Sequence, residues 1–205
     1  MSLCARLAAL LLVASCGGSK PLPALPPVAK NELRSPQAFA RIEDRDERAT
    51  ALFLEATRVM LHPRCANCHP NGDSPLQGNG LLHDPPVVRG EHDYGVPGLL
   101  CSSCHQDKNL ELARVPGAPK WHVAPREMAW VGRTPHALCE QLKDPKRNGG
   151  KDRAALIEHS AHDELVGWGW HPGHGREPAP GTQAQYGALI AAWLDAGAAC
   201  PKETR

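Results

Sequence analysis

Residues 65–69 read CANCH and residues 101–105 read CSSCH, so a pair of cysteines followed directly by a histidine occurs twice, 36 positions apart. Three chemistries use such pairs. In covalent haem attachment the two thiols add across the porphyrin vinyl groups as thioethers, and the adjoining histidine becomes the proximal ligand of the iron. In a zinc site the two pairs converge tetrahedrally on one ion. Ribbon-type zinc sites place their pairs about 15–20 residues apart, whereas 32 residues separate Cys68 from Cys101. A redox-active dithiol accounts for one pair at a time and expects a strand-helix-strand setting, which surrounds neither pair. The histidines favour the first chemistry: with 11 in 205 residues, finding one by chance after both pairs has a probability of about 0.3 %. Two c-type haems are therefore the expected cofactors. Cys65, Cys68, Cys101 and Cys104 are the expected thioether residues, and His69 and His105 the expected proximal ligands.

Each iron held in this way has one axial position left. A distal histidine or methionine fills it in an electron carrier, and a vacant or water-filled position permits small-ligand or peroxide chemistry. His122 is the first candidate, because it lies between Trp121 and Val123 in a stretch bounded by Pro119 and Pro125, a stiff apolar setting that can aim a neutral imidazole. His159 follows, with His162 one turn away as competitor, and His83, ahead of Asp84-Pro85-Pro86, ranks beside it. Of the three methionines one is the initiator; Met60 fits an apolar helix face, and Met128 serves equally well as a gap-filler. Arg89 and Arg176, in glycine-bounded loops, match propionate carboxylates in chemistry but read more simply as solvated arginines. Trp168 and Trp170 read as core or interface anchors.

The elements that must position these residues begin after a distinctive N-terminus. MSLCARLAALLLVASC has one basic residue, Arg6, then an apolar run from Leu7 to Ala14 that is too short to span a bilayer, and it reads as an export signal. Its end, Val13-Ala14-Ser15-Cys16, resembles the bacterial lipobox, which implies a signal peptide over residues 1–15 and a diacylglyceryl group on Cys16. Residues 16–34 are rich in proline and glycine and read as an extended tether, leaving residues 35–201 as one domain. Of eight cysteines, four belong to the haem motifs, Cys4 leaves with the signal and Cys16 carries lipid. Cys139 and Cys200 remain as a pair suited to a disulfide in an oxidising compartment. The formal charge of +1, without a long basic run, excludes an electrostatic nucleic-acid binder. Aromatic residues are only 4 % of the chain, a thin supply for a core that two macrocycles would supplement.

The periodicity predicts a helix from Ser35 to Leu61, ended by Pro63 just ahead of the first motif. Residues 70–100 have no sustained period and form a long loop, whose Leu76, Leu81, Leu82, Val87 and Val88 would cover a haem beneath it. Thr134-Pro135 opens a short helix that Pro145 closes. Another runs from Asp152 to Val166, with Ala155, His159, His162 and Val166 on one face. The last is capped by Thr182 and ends at Gly197. No segment alternates convincingly as a strand. The expected fold is mostly α with long irregular loops, a cytochrome c-like domain carrying two covalently attached haems.

A helix entering CANCH and a closing helix of the form ALIAAWLDAGAACP resemble the outline of a class I cytochrome c domain with a second haem motif inserted. The words HPRCANCHPNGDSPLQG, PPVVRG, VPGAPKWHVAPREMAW, QLKDPKRNGG and HDELVGWGWHPG resemble, over nearly all the mature chain, dihaem proteins called isoquinoline 1-oxidoreductase subunits. The chain has no four-cysteine iron-sulfur pattern beyond these motifs, so chemistry on a substrate would belong to a partner. The resemblance implies an electron-transfer subunit, lipid-anchored on the periplasmic side of a membrane and working with redox partners such as a periplasmic dehydrogenase. Gly17, lacking acidic character, favours the outer membrane. A dihaem peroxidase-like enzyme with one labile axial site, and a structural metal-binding module, are the competing readings.

Overall fold

Asp44, not Ser35, starts the first long helix. Its carboxylate accepts a hydrogen bond from the Glu47 backbone N–H at 2.9 Å, and Asp46 and Glu47 place negative charge in the first turn, where the helix dipole favours it. In the computed structural model, which describes residues 24–173 and 175–203, helix α1 spans Arg45–Met60. The single helix expected from Ser35 is thus divided. Ser35 makes no side-chain cap, and Pro36–Phe39 form one 3₁₀ turn that still buries Phe39. Burial of Phe39 and Ile42 is met without helix between them.

His62 takes extended geometry, and Pro63 opens the short helix α2, Pro63–Ala66, which carries Cys65. Helix α3, Pro135–Lys143, is capped by Thr134, and helix α4, Arg153–His162, by Asp152. Asp163 interrupts the helix expected to continue to Val166: its carboxylate accepts from the N–H groups of Leu165 and Val166 and starts helix α5, Glu164–Gly167. The expected shared face is therefore broken. Ala155 and His162 are exposed, and Leu156 and Ser160 are the buried positions of α4. Helix α6, Gln183–Asp195, opens with a reciprocal capping box between Thr182 and Gln185.

The core lies where α1 and α4 pack on α6, with α3 against α1. Phe53 and Trp193 are fully buried with ring centroids 4.9 Å apart, and Leu52, Val59, Met60, Leu189 and Ile190 close around them. Gly187 allows α6 to approach α4 closely, since a Cβ there would sit 2.4 Å from the Ala161 Cβ. Cys139 and Cys200 form a disulfide that ties α3 to the C-terminal segment. The packed domain begins before residue 35: Leu33 is buried, the Gly181 N–H donates to the Asn31 carbonyl, and Arg34 pairs with Glu55 of α1.

Between α2 and α3 the chain has little regular structure. Two hairpins of two-residue strands occur: β1 (Leu76–Gln77) with β2 (Leu81–Leu82), and β3 (Gly95–Val96) with β4 (Leu99–Leu100). They are too short to leave an alternation in the sequence. Among the described residues, no helix is long and apolar enough to cross a membrane.

Candidate haem-binding site

Each cysteine motif sits in a single tight turn. The Cys68 N–H donates to the Cys65 carbonyl and the His69 N–H to the Ala66 carbonyl; in the second motif both Cys104 and His105 donate to the Cys101 carbonyl. One turn thus brings two thiols and an imidazole together. The first motif is threaded by the segment 121–131, whose Ala124 and Trp130 N–H groups donate to the carbonyls of Cys68 and His69 at 2.8 Å.

The two histidines are held in the same manner. His69 Nδ1 lies 2.8 Å from the Met128 carbonyl oxygen, and His105 Nδ1 lies 2.7 Å from that of Pro116. A carbonyl can only accept, so Nδ1 carries the proton in each ring and Nε2 is the nitrogen left for a metal. Each ring is also stacked on a tryptophan: His69 on Trp130 at 3.5 Å between centroids and 7° between planes, and His105 on Trp121 at 4.6 Å and 10°. Burial drives His69 down to about 3 and pulls His105 below the ordinary imidazole range, so both are neutral at pH 7, as ligation requires.

Two cavities lie beside these turns. The first, about 230 Å³, is lined by Cys65, Cys68, His69, Met128, Leu156, His159, Asp163 and Tyr186, among others. The second, about 510 Å³, is lined by Cys101, Cys104, His105, His83, Trp121 and the apolar Leu76, Leu81, Val87, Leu99 and Leu100, among others. Cofactor-sized sites run to roughly 300–1,000 Å³; the second cavity falls in that range, and the first would hold part of such a group and leave the rest at the surface. Arg64, Cys68, His122 and Trp168 line both. Only one layer of side chains separates the cavities.

The residues fit haem in donor chemistry and in what they leave open. Each cavity has a cysteine pair, a histidine with Nε2 free, and a second histidine. In the second, His83 lies 6.0 Å from His105 between ring centroids, with planes at 70°; its own Nδ1 is engaged by the Pro85 carbonyl at 2.8 Å. In the first, His159 Nδ1 is engaged by Asp163 Oδ2 at 3.1 Å. The hydrogen bond from His159 holds the Asp163 carboxyl down to about 2, against the opposing effect of its burial. His122 lies on the wall between the cavities, with Nδ1 2.6 Å from the Lys120 carbonyl and its ring stacked on Tyr94 at 4.8 Å. Leu81, Leu82 and Leu100 are exposed on the hairpins, at 66 %, 73 % and 47 %, and two of them, Leu81 and Leu100, face a cavity that a macrocycle would fill.

The other chemistries fit less well. Burial pushes the Cys65 thiol up to about 12 and Cys68 to about 11, and raises Cys101. A redox dithiol needs the opposite, a stabilised thiolate. Among the described residues, no group of three or more His, Cys, Asp or Glu converges where a single ion would sit.

Met60 is fully buried in the core, as its place on an apolar helix face predicts, and Met128 lines the first cavity, its carbonyl holding the His69 ring. Arg89 is neither solvated nor in the lining of either cavity. It is buried and binds Asp93 and the carbonyls of Gly72 and Ala124, knitting three loop segments together. Arg176 lines the second cavity. Arg64 escaped sequence reasoning although it directly precedes Cys65; its position beside the motif was the only signal. Cys16 lies outside the described residues, and so does the whole expected signal peptide. No family model matches the chain, and no curated protein and no solved structure matches it.

Proposed function

We propose that this protein is an exported dihaem c-type cytochrome that passes single electrons between a partner such as a periplasmic dehydrogenase and a respiratory acceptor. The observation that carries this reading is the doubled arrangement at His69 and His105: a turn with two thiols, an imidazole whose Nδ1 is tied to a backbone carbonyl, and a tryptophan stacked behind it. Haem iron in such sites supplies reversible one-electron oxidation and reduction. Cys65 and Cys68, and Cys101 and Cys104, would carry the thioethers, and His69 and His105 the proximal bonds. The carbonyls and tryptophans fix ring orientation, so little rearrangement accompanies a change of charge. Trp168, which meets Trp121 edge-on at 5.0 Å, and Cys68 form a thin wall between the two sites.

A second histidine in each cavity supports six-coordination and hence a carrier, in preference to a peroxidase-like enzyme with a labile position. Two imidazoles leave iron less electron-poor than imidazole with thioether, which places the potentials in the lower part of the roughly 0.8 V range that axial ligands command. The sequence Val13-Ala14-Ser15-Cys16 supports anchoring by lipid to a membrane, the outer one favoured, since two acyl chains are needed for durable attachment. A Cys16→Ser variant would then be released from membranes.

The test is the pyridine haemochrome spectrum of protein exported in a host with haem-attachment machinery. Two haems per chain that survive acid-acetone extraction are expected. Haem that is extracted, or zinc in its place, refutes the proposal. Carbon monoxide binding and peroxide turnover by the unaltered protein would replace the carrier with the peroxidase-like reading.

A further inference from the structure

Arg64 is 5 % exposed and lies in the wall that borders both cavities. One of its terminal nitrogens donates to the Gly78 carbonyl, which Asn67 Nδ2 also reaches at 3.0 Å, but its Nε is buried without a hydrogen-bond partner. Among the described residues no carboxylate forms an ion pair with it. A buried guanidinium left in that condition is costly by ordinary desolvation; burial and then the nearby Arg176 cation work against its charge, and the Glu177 carboxylate opposes them only in part. The arrangement calls for an anion.

The lining of the second cavity points the same way. It has three arginines, Arg64, Arg114 and Arg176, against one carboxylate, Asp84. The first cavity is nearer to balance, its lining having three cations, Arg64, Lys120 and Lys151, and two carboxylates, Asp163 and Glu164. Covalent attachment weighs against the first haem as the source of that anion, since Arg64 adjoins Cys65 and would lie near the vinyl edge of a haem held there, opposite its propionates. Together with the three arginines of the second lining, this favours a carboxylate from a haem in the second cavity.

We propose that Arg64, with Arg176 beside it, binds a propionate of the haem in the second cavity and raises that haem's reduction potential. The proposal rests on the dihaem reading. A guanidinium fork suits a carboxylate bidentately, and a fixed positive charge in a low-dielectric wall disfavours the ferric state more than the ferrous one, because the ferric centre carries one more positive charge.

Haem content is measured first by pyridine haemochrome, so failure of the dihaem reading is seen before any potential is read. In Arg64→Gln with both haems retained, potentiometric titration is expected to show one of the two potentials lowered by about tenfold in its reduction constant, about 59 mV for one electron. Arg64→Lys, which keeps the charge, is expected to restore at least half of that shift. Two retained haems with both potentials unchanged, or a shift that lysine does not restore, overturns the proposal. Should Arg64→Gln lose haem, Arg64→Lys decides alone through resonance Raman spectra. Replacing a fork by a single ammonium is expected to move the propionate bending band of one haem, and an unmoved band overturns the assignment.

Discussion

The imidazoles of His83 and His105 both line the second cavity, with ring centroids 6.0 Å apart and planes at 70°. Metal-imidazole bonds of about 2.0–2.1 Å on opposite sides of one ion put ring centres roughly 6 Å apart, so the pair already has the spacing of two axial ligands. Both rings have Nδ1 engaged by a backbone carbonyl, Pro85 for His83 and Pro116 for His105. Replacing His83 by Ala is expected to produce a high-spin signal and carbon monoxide binding at half the haem content. A variant that remains wholly low-spin and refuses carbon monoxide would exclude His83 as a ligand.

In the first cavity His159 and His122 compete for the corresponding role. His159 is oriented by the Asp163 carboxylate, an acid-imidazole pairing that raises ligand basicity, whereas His122 is stacked on Tyr94 in the wall between the sites. His159→Ala is expected to open the first site to carbon monoxide, and His122→Ala to leave both sites closed. The reverse pattern in the two titrations assigns His122 instead.

Local signals in the chain make the helix starts legible. Thr182 with Gln185, and Thr134 ahead of Pro135, read as caps because a hydroxyl and a nearby amide can satisfy the first N–H groups whatever surrounds them. The start of α1 does not read so well, since Ser35-Pro36 and Asp44 are both competent starts and only the packing of Phe39 and Ile42 separates them. Asp163 hides a helix break for a similar reason: a mid-helix aspartate is ordinary until its carboxylate is seen on two N–H groups of the next turn. Of the candidate site, the thiols and the imidazoles that adjoin them are written in spacing. The carbonyls of Met128 and Pro116, 59 and 11 residues from their histidines, are long-range consequences of loop packing. Arg64 belongs with them, because its burial depends on the hairpin turn at Gly78.

Helix α4 owes its position over the first cavity to Gly187. A methyl group at that position would meet Ala161 Cβ at 2.4 Å and Cα at 2.7 Å, so Gly187→Ala forces the helices apart and destabilises the domain by about 1–3 kcal/mol. The strain falls on Ala161, two residues from His159 on the same helix. Thermal unfolding followed by circular dichroism is expected to show a lower midpoint, and an unchanged midpoint would mean that the α4–α6 interface can relax.

The Cys139–Cys200 disulfide closes a loop with a sequence separation of 61. In the chain-entropy model such a loop contributes roughly 4 kcal/mol to stability. A Cys139→Ala, Cys200→Ala double variant is expected to lose stability of that order in urea unfolding while its haem content stays equal to that of the native protein, because neither cysteine lines either of the two cavities. Ready alkylation of either thiol in the unfolded, unreduced protein would show that the bridge does not form.

Glu55 links the segment before α1 to the core and confers a pH dependence from outside the two cavities. Its side chain is 4 % exposed, and it accepts from the Arg34 backbone N–H at 3.0 Å, the Arg34 guanidinium at 2.7 Å and Arg58 at 2.8 Å. Burial by itself would raise this carboxyl, but the hydrogen bonds and charge of Arg34 and Arg58 outweigh burial and leave it below the ordinary glutamate range. A group whose folded pKa is depressed stabilises the fold above its unfolded value, about 4.3, and that contribution fades as pH falls from there through the folded value. Stability should therefore decline below about pH 4.3 in the native protein, and this part of the decline should be absent in Glu55→Gln. The variant also leaves the buried ends of two guanidinium contacts weakened, at a cost of about 1–3 kcal/mol at neutral pH. Urea unfolding at pH 7 and pH 4 measures both effects, and equal losses in the two proteins between those pH values would remove Glu55 from the acid response.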